Sequence, residues 1–169
     1  SYDIKNVIDA LKILKDKGIN NILFEVMGSG PLKTEFEKYA KEKGVNCEFT
    51  GRLNYEEMTG YLCICDIAVN PIKAGSAASI INKVGDYAAA ALPVINTQES
   101  IEYRKLVEDY EIGYNVENGN AEELAEAIEY LYKNEALRKR LGANNRNLAE
   151  EKFDRKVTYW KIKEVIEEE

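Results

Sequence analysis

The chain has 169 residues, 45% of them apolar and 31% charged, a balance that predicts one soluble globular domain burying about two-thirds of its unfolded surface. Its formal charge of −7, from 23 basic and 30 acidic residues, argues against nucleic acid as the main partner, which would require a basic surface. There is no histidine, so Ser-His-Asp and Cys-His nucleophilic schemes and His-assisted zinc chemistry are excluded.

In chain order, Ile4, Val7, Ile8, Leu11 and Leu14 keep helical spacing, and Lys17-Gly18 closes that helix. No strand precedes Tyr2, where a doubly wound domain would supply one, and we therefore expect the chain to start late within a longer protein. Ile22 to Met27 reads as a short apolar strand, followed by Gly28-Ser29-Gly30-Pro31 and a helix from about Leu32 to Lys43 that Gly44 ends. Cys47 to Thr50 reads as a strand, and Asn54-x-x-Glu57 is a capping-box signal for a short helix. A strand at Ile67 to Val69, a loop broken by Pro71 and Gly75, a helix opening near Ser79 and a strand at Val94-Ile95 come next. The remainder predicts a helix over Glu99 to Glu108, a strand near Gly113 to Val116, and a helix capped by Asn120-x-x-Glu123. Two further helices are expected around Glu135 to Glu151 and Arg155 to Glu168.

Strands alternating with helices in this way imply βαβ units and a parallel sheet covered on both faces. Such sheets bind ligands beyond the carboxyl ends of their strands, where helix N-termini offer N–H groups to an anion. The segment from Ile67 to Thr97 has that layout, with Asn82, Lys83 and Asp86 on the first turns of an otherwise Ala- and Ile-rich helix. That set suits a phosphate-bearing ligand with a sugar hydroxyl nearby. The pattern GSGP is not GxGxxG and is not a dinucleotide fingerprint. Cys47, Cys63 and Cys65 are too few and too oddly numbered for a disulfide framework and are read as structurally buried thiols in a reducing compartment. Cys63-x-Cys65 has no second pair, and no metal site is expected.

The ordered series GSGP, EFTGRL, NYEEM, CDIAVNP, NKVGDYAAAALPVI, GNAEELAEAI and NEALRKRLGANNR, with Phe153 after it, resembles the C-terminal half of family 4 retaining glycosyltransferases over about residues 2 to 160. The resemblance implies one Rossmann-like half of a GT-B fold, an α/β domain spanning 1–169 that binds a nucleotide-sugar donor, with the acceptor-binding N-terminal domain absent. Lys5 matches a lysine that contacts the donor diphosphate and offsets charge on the leaving group. The family's companion arginine would lie upstream. Gly51, Arg52 and Leu53 match a loop that passes the nucleotide base, and Gly28 and Gly30 line the strand ends. Ile81, Asn82 and Lys83 match the helix N-terminus that holds the diphosphate. Asp86 stands where an acidic residue bonds the ribose hydroxyls, one methylene shorter but with two acceptors. The family's other acidic residue falls at Ala78, a departure that puts sugar recognition in question.

The expected function is transfer of a hexose from a nucleotide-diphospho-sugar, with UDP the first candidate, to an acceptor hydroxyl with retention, in bacterial surface polysaccharide or glycoconjugate synthesis. The fragment alone is expected to be inactive. The alternative is a non-catalytic nucleotide or nucleotide-sugar binding module. The donor is a substrate, so no cofactor or metal is expected. Expected partners are the nucleotide-sugar and, through the missing domain, an acceptor glycan or lipid-linked sugar, with the cytoplasm or the inner face of the membrane as the site of action. Trp160, Ile162 and Ile166 in the final helix are expected to pack toward the absent domain and to leave an apolar patch.

Overall fold

The computed structural model describes residues 1–76, 79–154 and 156. In chain order its elements are α1 (Ile4–Asp16), β1 (Phe24–Met27), α2 (Lys33–Lys43), β2 (Cys47–Gly51), α3 (Tyr55–Ile64), β3 (Ala68–Asn70), α4 (Lys83–Ala89), β4 (Val94–Asn96), α5 (Ile101–Asp109), β5 (Gly113–Asn115), α6 (Ala121–Lys133) and α7 (Glu135–Leu148). A π-helical turn, Ala149–Phe153, follows α7 directly. The helix expected from Arg155 onward, with Trp160, Ile162 and Ile166, lies outside the described residues, as does Ala78.

All strand pairs are parallel. β1 pairs with β2 from Phe24↔Cys47 to Met27↔Gly51, with a register shift between Val26 and Met27. β3, β4 and β5 form a second sheet in that order, with Ala68, Val94 and Gly113 in one row and Asn70, Asn96 and Asn115 in another. Where one sheet was expected, two are found, and no ladder joins them among the described residues. Helix α1 holds them together. Its Ile4 and Ile8 pack on Phe24, Val26, Cys47 and Phe49, while Val7, Leu11 and Leu14 join Ile95, Val116 and the α6 residues Leu124, Ile128 and Leu131. Side chains spaced three and four apart cover adjoining stripes of one helix, so the sequence period alone gives α1 this double contact. Each such fully buried Leu or Ile contributes about 1.5–3 kcal/mol.

The row of asparagines is a hydrogen-bonded ladder. Asn70 Nδ2 donates to Asn96 Oδ1 at 2.9 Å, and Asn96 Nδ2 donates to Asn115 Oδ1 at 2.9 Å. Asn115 Nδ2 donates in turn to the Arg104 carbonyl and the Glu108 carboxylate. Asn70 and Asn96 are fully buried, where amides stay only if bonded. Gln98, also fully buried, accepts from Asn70 and sends its own Nε2 to the Ser79 carbonyl at 2.5 Å.

That last bond corrects an expectation. The helix predicted to open near Ser79 begins at Lys83, because the Ser79 carbonyl is taken by Gln98 and is not offered to the next turn. The thiols also differ from expectation. Cys47 and Cys65 are half-buried, but Cys63 is exposed, since Leu62 and not Cys63 turns inward from α3. All three are free.

Candidate functional site

The carboxyl ends of β1 and β2 meet in a pair of glycines. Gly28 has φ of 144° and Gly51 has φ of 77°, values that side-chain-bearing residues rarely adopt. The Gly28 N–H donates to the Gly51 carbonyl at 2.8 Å, which ties the two loops together just past the strands. Gly30 then makes the turn into α2, with its carbonyl accepting from the Lys33 N–H. Past Gly51, exposed Arg52 and half-buried Leu53 lead to Asn54, which caps α3.

Lys5 lies in the first turn of α1, behind the capping Asp3. Its ammonium is paired with Glu35 of α2 at 2.5 Å and sits 5.3 Å from the centre of the Tyr39 ring. The hydrogen bond from Lys5 holds the Glu35 carboxyl below its usual range, and Glu35 raises the Lys5 ammonium in return, against partial desolvation. This partner is not legible in the sequence, because Glu35 reads as an ordinary first-turn acid.

The start of the chain runs along the loop after β3. Tyr2 forms an antiparallel bridge with Ile72, and the Asp3 N–H donates to the Pro71 carbonyl at 2.6 Å. This places the Tyr2 ring beneath Lys83, whose ammonium is 4.3 Å from the ring centre. Ile81 is half-buried just before α4, and Asn82 is its N-cap residue without a side-chain cap bond.

Asp86 lies one turn into α4. Burial pushes its carboxyl above the usual range, opposed by a hydrogen bond from the Tyr55 phenol and by the charge of Lys83. A cleft of about 850 Å³ opens between α4 and the π-helical turn, lined by Tyr55, Ile80, Ile81, Asn82, Asp86 and Phe153 among others. A second cavity, about 190 Å³, lies at the opposite, amino ends of β1 and β2 and is lined by residues such as Leu11, Asn20 and Asn46. Its one charged lining group, Lys15, donates to the Gly44 carbonyl. The larger cleft and the glycine pair share the carboxyl ends of the strands, where open α/β sheets bind ligands.

Of the residues singled out by sequence, Asn82, Ile81 and Asp86 line the cleft directly. Gly28 and Gly51 touch each other, and Lys5 and Lys83 are each engaged by a neighbouring side chain. The sequence reading missed Tyr55. It lies inside Asn54-x-x-Glu57, a capping signal, and inside NYEEM of the family series, where no role attaches to it.

Residues 2–148 match the family model for glycosyl transferases group 1. The chain belongs to this family. An uncharacterised glycosyltransferase of Methanocaldococcus jannaschii is 26% identical over 165 residues, 97% of this chain and 45% of the relative. The chain therefore spans about half the length of that relative. The catalytic domain of cholesterol-α-glucosyltransferase from Helicobacter pylori superposes with a TM-score of 0.73 at 21% identity, covering 88% of this chain and 89% of that one. Anabaena HepE in complex with UDP gives 0.75 at 15% identity, covering all of this glycosyltransferase-family chain and 56% of HepE. At these identities the likeness is one of fold, and the fold is that of a GT-B half: α/β, with parallel strands flanked by helices. No helix among the described residues is long and apolar enough to cross a membrane.

Proposed function

We propose that this domain is the donor half of a retaining hexosyltransferase and takes a nucleotide-diphospho-sugar, UDP-linked in the first instance. The observation that carries the reading is Asp86, a partly buried carboxylate lining a cleft of about 850 Å³ at the carboxyl ends of parallel strands, in a chain of this family. Vicinal ribose hydroxyls are donors that a carboxylate can accept together, and the desolvated setting strengthens such bonds.

In this reading the diphosphate lies over Ile81, Asn82 and Lys83 at the start of α4. The base passes Gly51, Arg52 and Leu53, and Gly28 and Gly30 border the site. As the anomeric carbon–oxygen bond to the diphosphate breaks, negative charge grows on the leaving oxygen, and Lys5 and Lys83 offset it. The acceptor hydroxyl forms the new bond on the same face and passes its proton to the departing diphosphate oxygen. The site needs no metal in this scheme. Lys5 must leave Glu35 or share it with the diphosphate, so part of its attraction is spent on breaking an existing pair.

The acceptor, a glycan or lipid-linked sugar of a surface polysaccharide or glycoconjugate, would be held by a further domain, and residues 1–169 alone would bind donor without turnover. The Lys5–Glu35 pair supports a second reading, a nucleotide-binding module without catalysis, because it leaves the ammonium already neutralised.

Calorimetry with UDP, GDP and ADP on wild type, Lys5→Ala and Asp86→Ala tests the proposal. Binding of one nucleotide, weakened by about 1–3 kcal/mol in each variant, is expected. Absence of binding by folded wild type to all three would overturn it. Loss of affinity in Asp86→Ala but not in Lys5→Ala would favour the non-catalytic module.

A further inference from the structure

We infer that the ring of Tyr55 is the wall on which the nucleotide base stacks, beside the Asp86 carboxylate that takes the ribose hydroxyls. The inference rests on the donor reading above and names the part of the site that grips the base.

Tyr55 is the first residue of α3, fixed from both sides by the capping box. The Glu57 N–H donates to Asn54 Oδ1 at 2.8 Å, and the Asn54 N–H donates to Glu57 Oε2 at 3.1 Å. Its backbone is therefore anchored, yet the residue is 70% exposed. The other exposed tyrosines among the described residues have their rings or hydroxyls accounted for. Tyr130 meets Tyr114 edge-on, and the Tyr132 hydroxyl donates to Asn21. The Tyr55 ring has no such contact among the described residues, and Tyr55 lines the 850 Å³ cleft together with Asp86. Ile80 and Ile81 line the same cleft and are half-buried, so it offers an apolar slot beside a polar corner.

A nucleoside has the matching chemistry: a planar π-face next to a pair of hydroxyl donors. A ring carried on a fixed backbone has only its own side-chain torsions to lose when a base stacks on it, whereas a ring on a mobile loop would need the loop ordered as well. Every base has a π-face, so stacking on Tyr55 supplies affinity without choosing among bases. Choice falls instead to the edge contacts of the loop after Gly51.

The experiment compares the full chain with Tyr55→Ala and Tyr55→Phe, using UDP, GDP, ADP and inorganic pyrophosphate as probes in calorimetry. Tyr55→Ala is expected to weaken each nucleotide that wild type binds by a similar factor, about 10-fold or more. The ratio between nucleotides stays unchanged. Tyr55→Phe, which keeps the ring, is expected to restore binding to within about threefold of wild type, since the stacking face is retained. Pyrophosphate, which has no base, should bind all three proteins alike. Unchanged nucleotide affinity in Tyr55→Ala, with Asp86→Ala still weakened, would overturn the role of Tyr55 and leave the donor reading intact. Equal loss for pyrophosphate would also overturn it, by assigning the effect to the loop as a whole. Failure of wild type to bind any nucleotide would overturn both.

Discussion

A Cβ placed on Gly142 would stand 2.1 Å from the Ala91 carbonyl oxygen, so α7 and the end of α4 meet backbone to backbone. Nearby side chains of α7 reinforce the meeting. Asn145 Nδ2 donates to the Leu92 carbonyl and Arg146 Nη1 to the Ala89 carbonyl, each at 2.8 Å. These bonds satisfy carbonyls that α4 cannot pair within itself. Because the obstacle at Gly142 is main chain, it cannot rotate away. Gly142→Ala is expected to lower stability by about 1–3 kcal/mol in urea unfolding, in the range of overpacked cores. Gly60→Ala is the control of opposite sign: no atom lies within 4 Å of its added Cβ, and α3 should gain about 0.5–1 kcal/mol.

Asn96 is the centre of the amide ladder, and Asn96→Leu should be far costlier than its similar volume suggests. The change removes the acceptor of Asn70 Nδ2 and of the Gln98 N–H, and the donor to Asn115 and to the Gln98 carbonyl. Each buried group left unpaired costs about 1–3 kcal/mol, so a total loss of about 3 kcal/mol or more is expected by chemical denaturation. Asn115→Ala, at the half-buried end of the ladder, should cost clearly less because water can replace it.

Acid sensitivity has an identifiable source on α6. Hydrogen bonds from Lys133 and Lys17 hold the Glu129 carboxyl at about 2, down from 4.5, with burial opposing. The unfolded chain takes up that proton first, so the stabilisation is complete above pH 4.5 and fades as pH falls toward 2. Glu129→Gln should thus be less stable than wild type at neutral pH, with a gap that narrows over that window. Because the pair is at the surface, about 1 M salt should narrow it as well. Denaturant titrations from pH 7 to pH 2 would show either effect.

The thiols should react in a fixed order. Burial pushes the Cys47 thiol up to about 11, and burial with the nearby Glu25 and Asp66 charges also raises Cys65. Cys63 is exposed on α3. A disulfide reagent at mildly alkaline pH is expected to label one thiol quickly and two slowly, and Cys63→Ser should abolish the fast phase. Fast labelling that survives Cys63→Ser would show that α3 opens.

Local signals in the sequence were good guides to local structure. The 3–4 spacing of Ile4 to Leu14 gave the buried face of α1, and Asn54 and Asn120 mark real caps. Long-range polar choices were not legible. Asn70, Asn96 and Asn115 are 26 and 19 residues apart, and nothing in their local patterns says that they share one row. For the same reason the late start of α4 was missed: the group that diverts Ser79 is Gln98, 19 residues on. At the site, Gly28 and Gly51 meet past the strand ends, and Ile81, Asn82 and Asp86 line one cleft. Glu35 and Tyr55 were hidden, because a first-turn acid and a cap-adjacent tyrosine have ordinary local roles.

The asparagine row also has a direction. Glu108 Oε1 and the Arg104 carbonyl can only accept, so Asn115 must turn its amine toward them and its oxygen toward Asn96. Asn96 is then oriented in the same sense, and Asn70 after it. The polarity chosen on α5 is thereby carried across three strands to Asn70 Oδ1, which is buried and has no donor among the described residues. Whatever approaches β3 at that row finds a lone pair, never an N–H, and a carbonyl or carboxylate brought there would be repelled unless all three amides turned over at once.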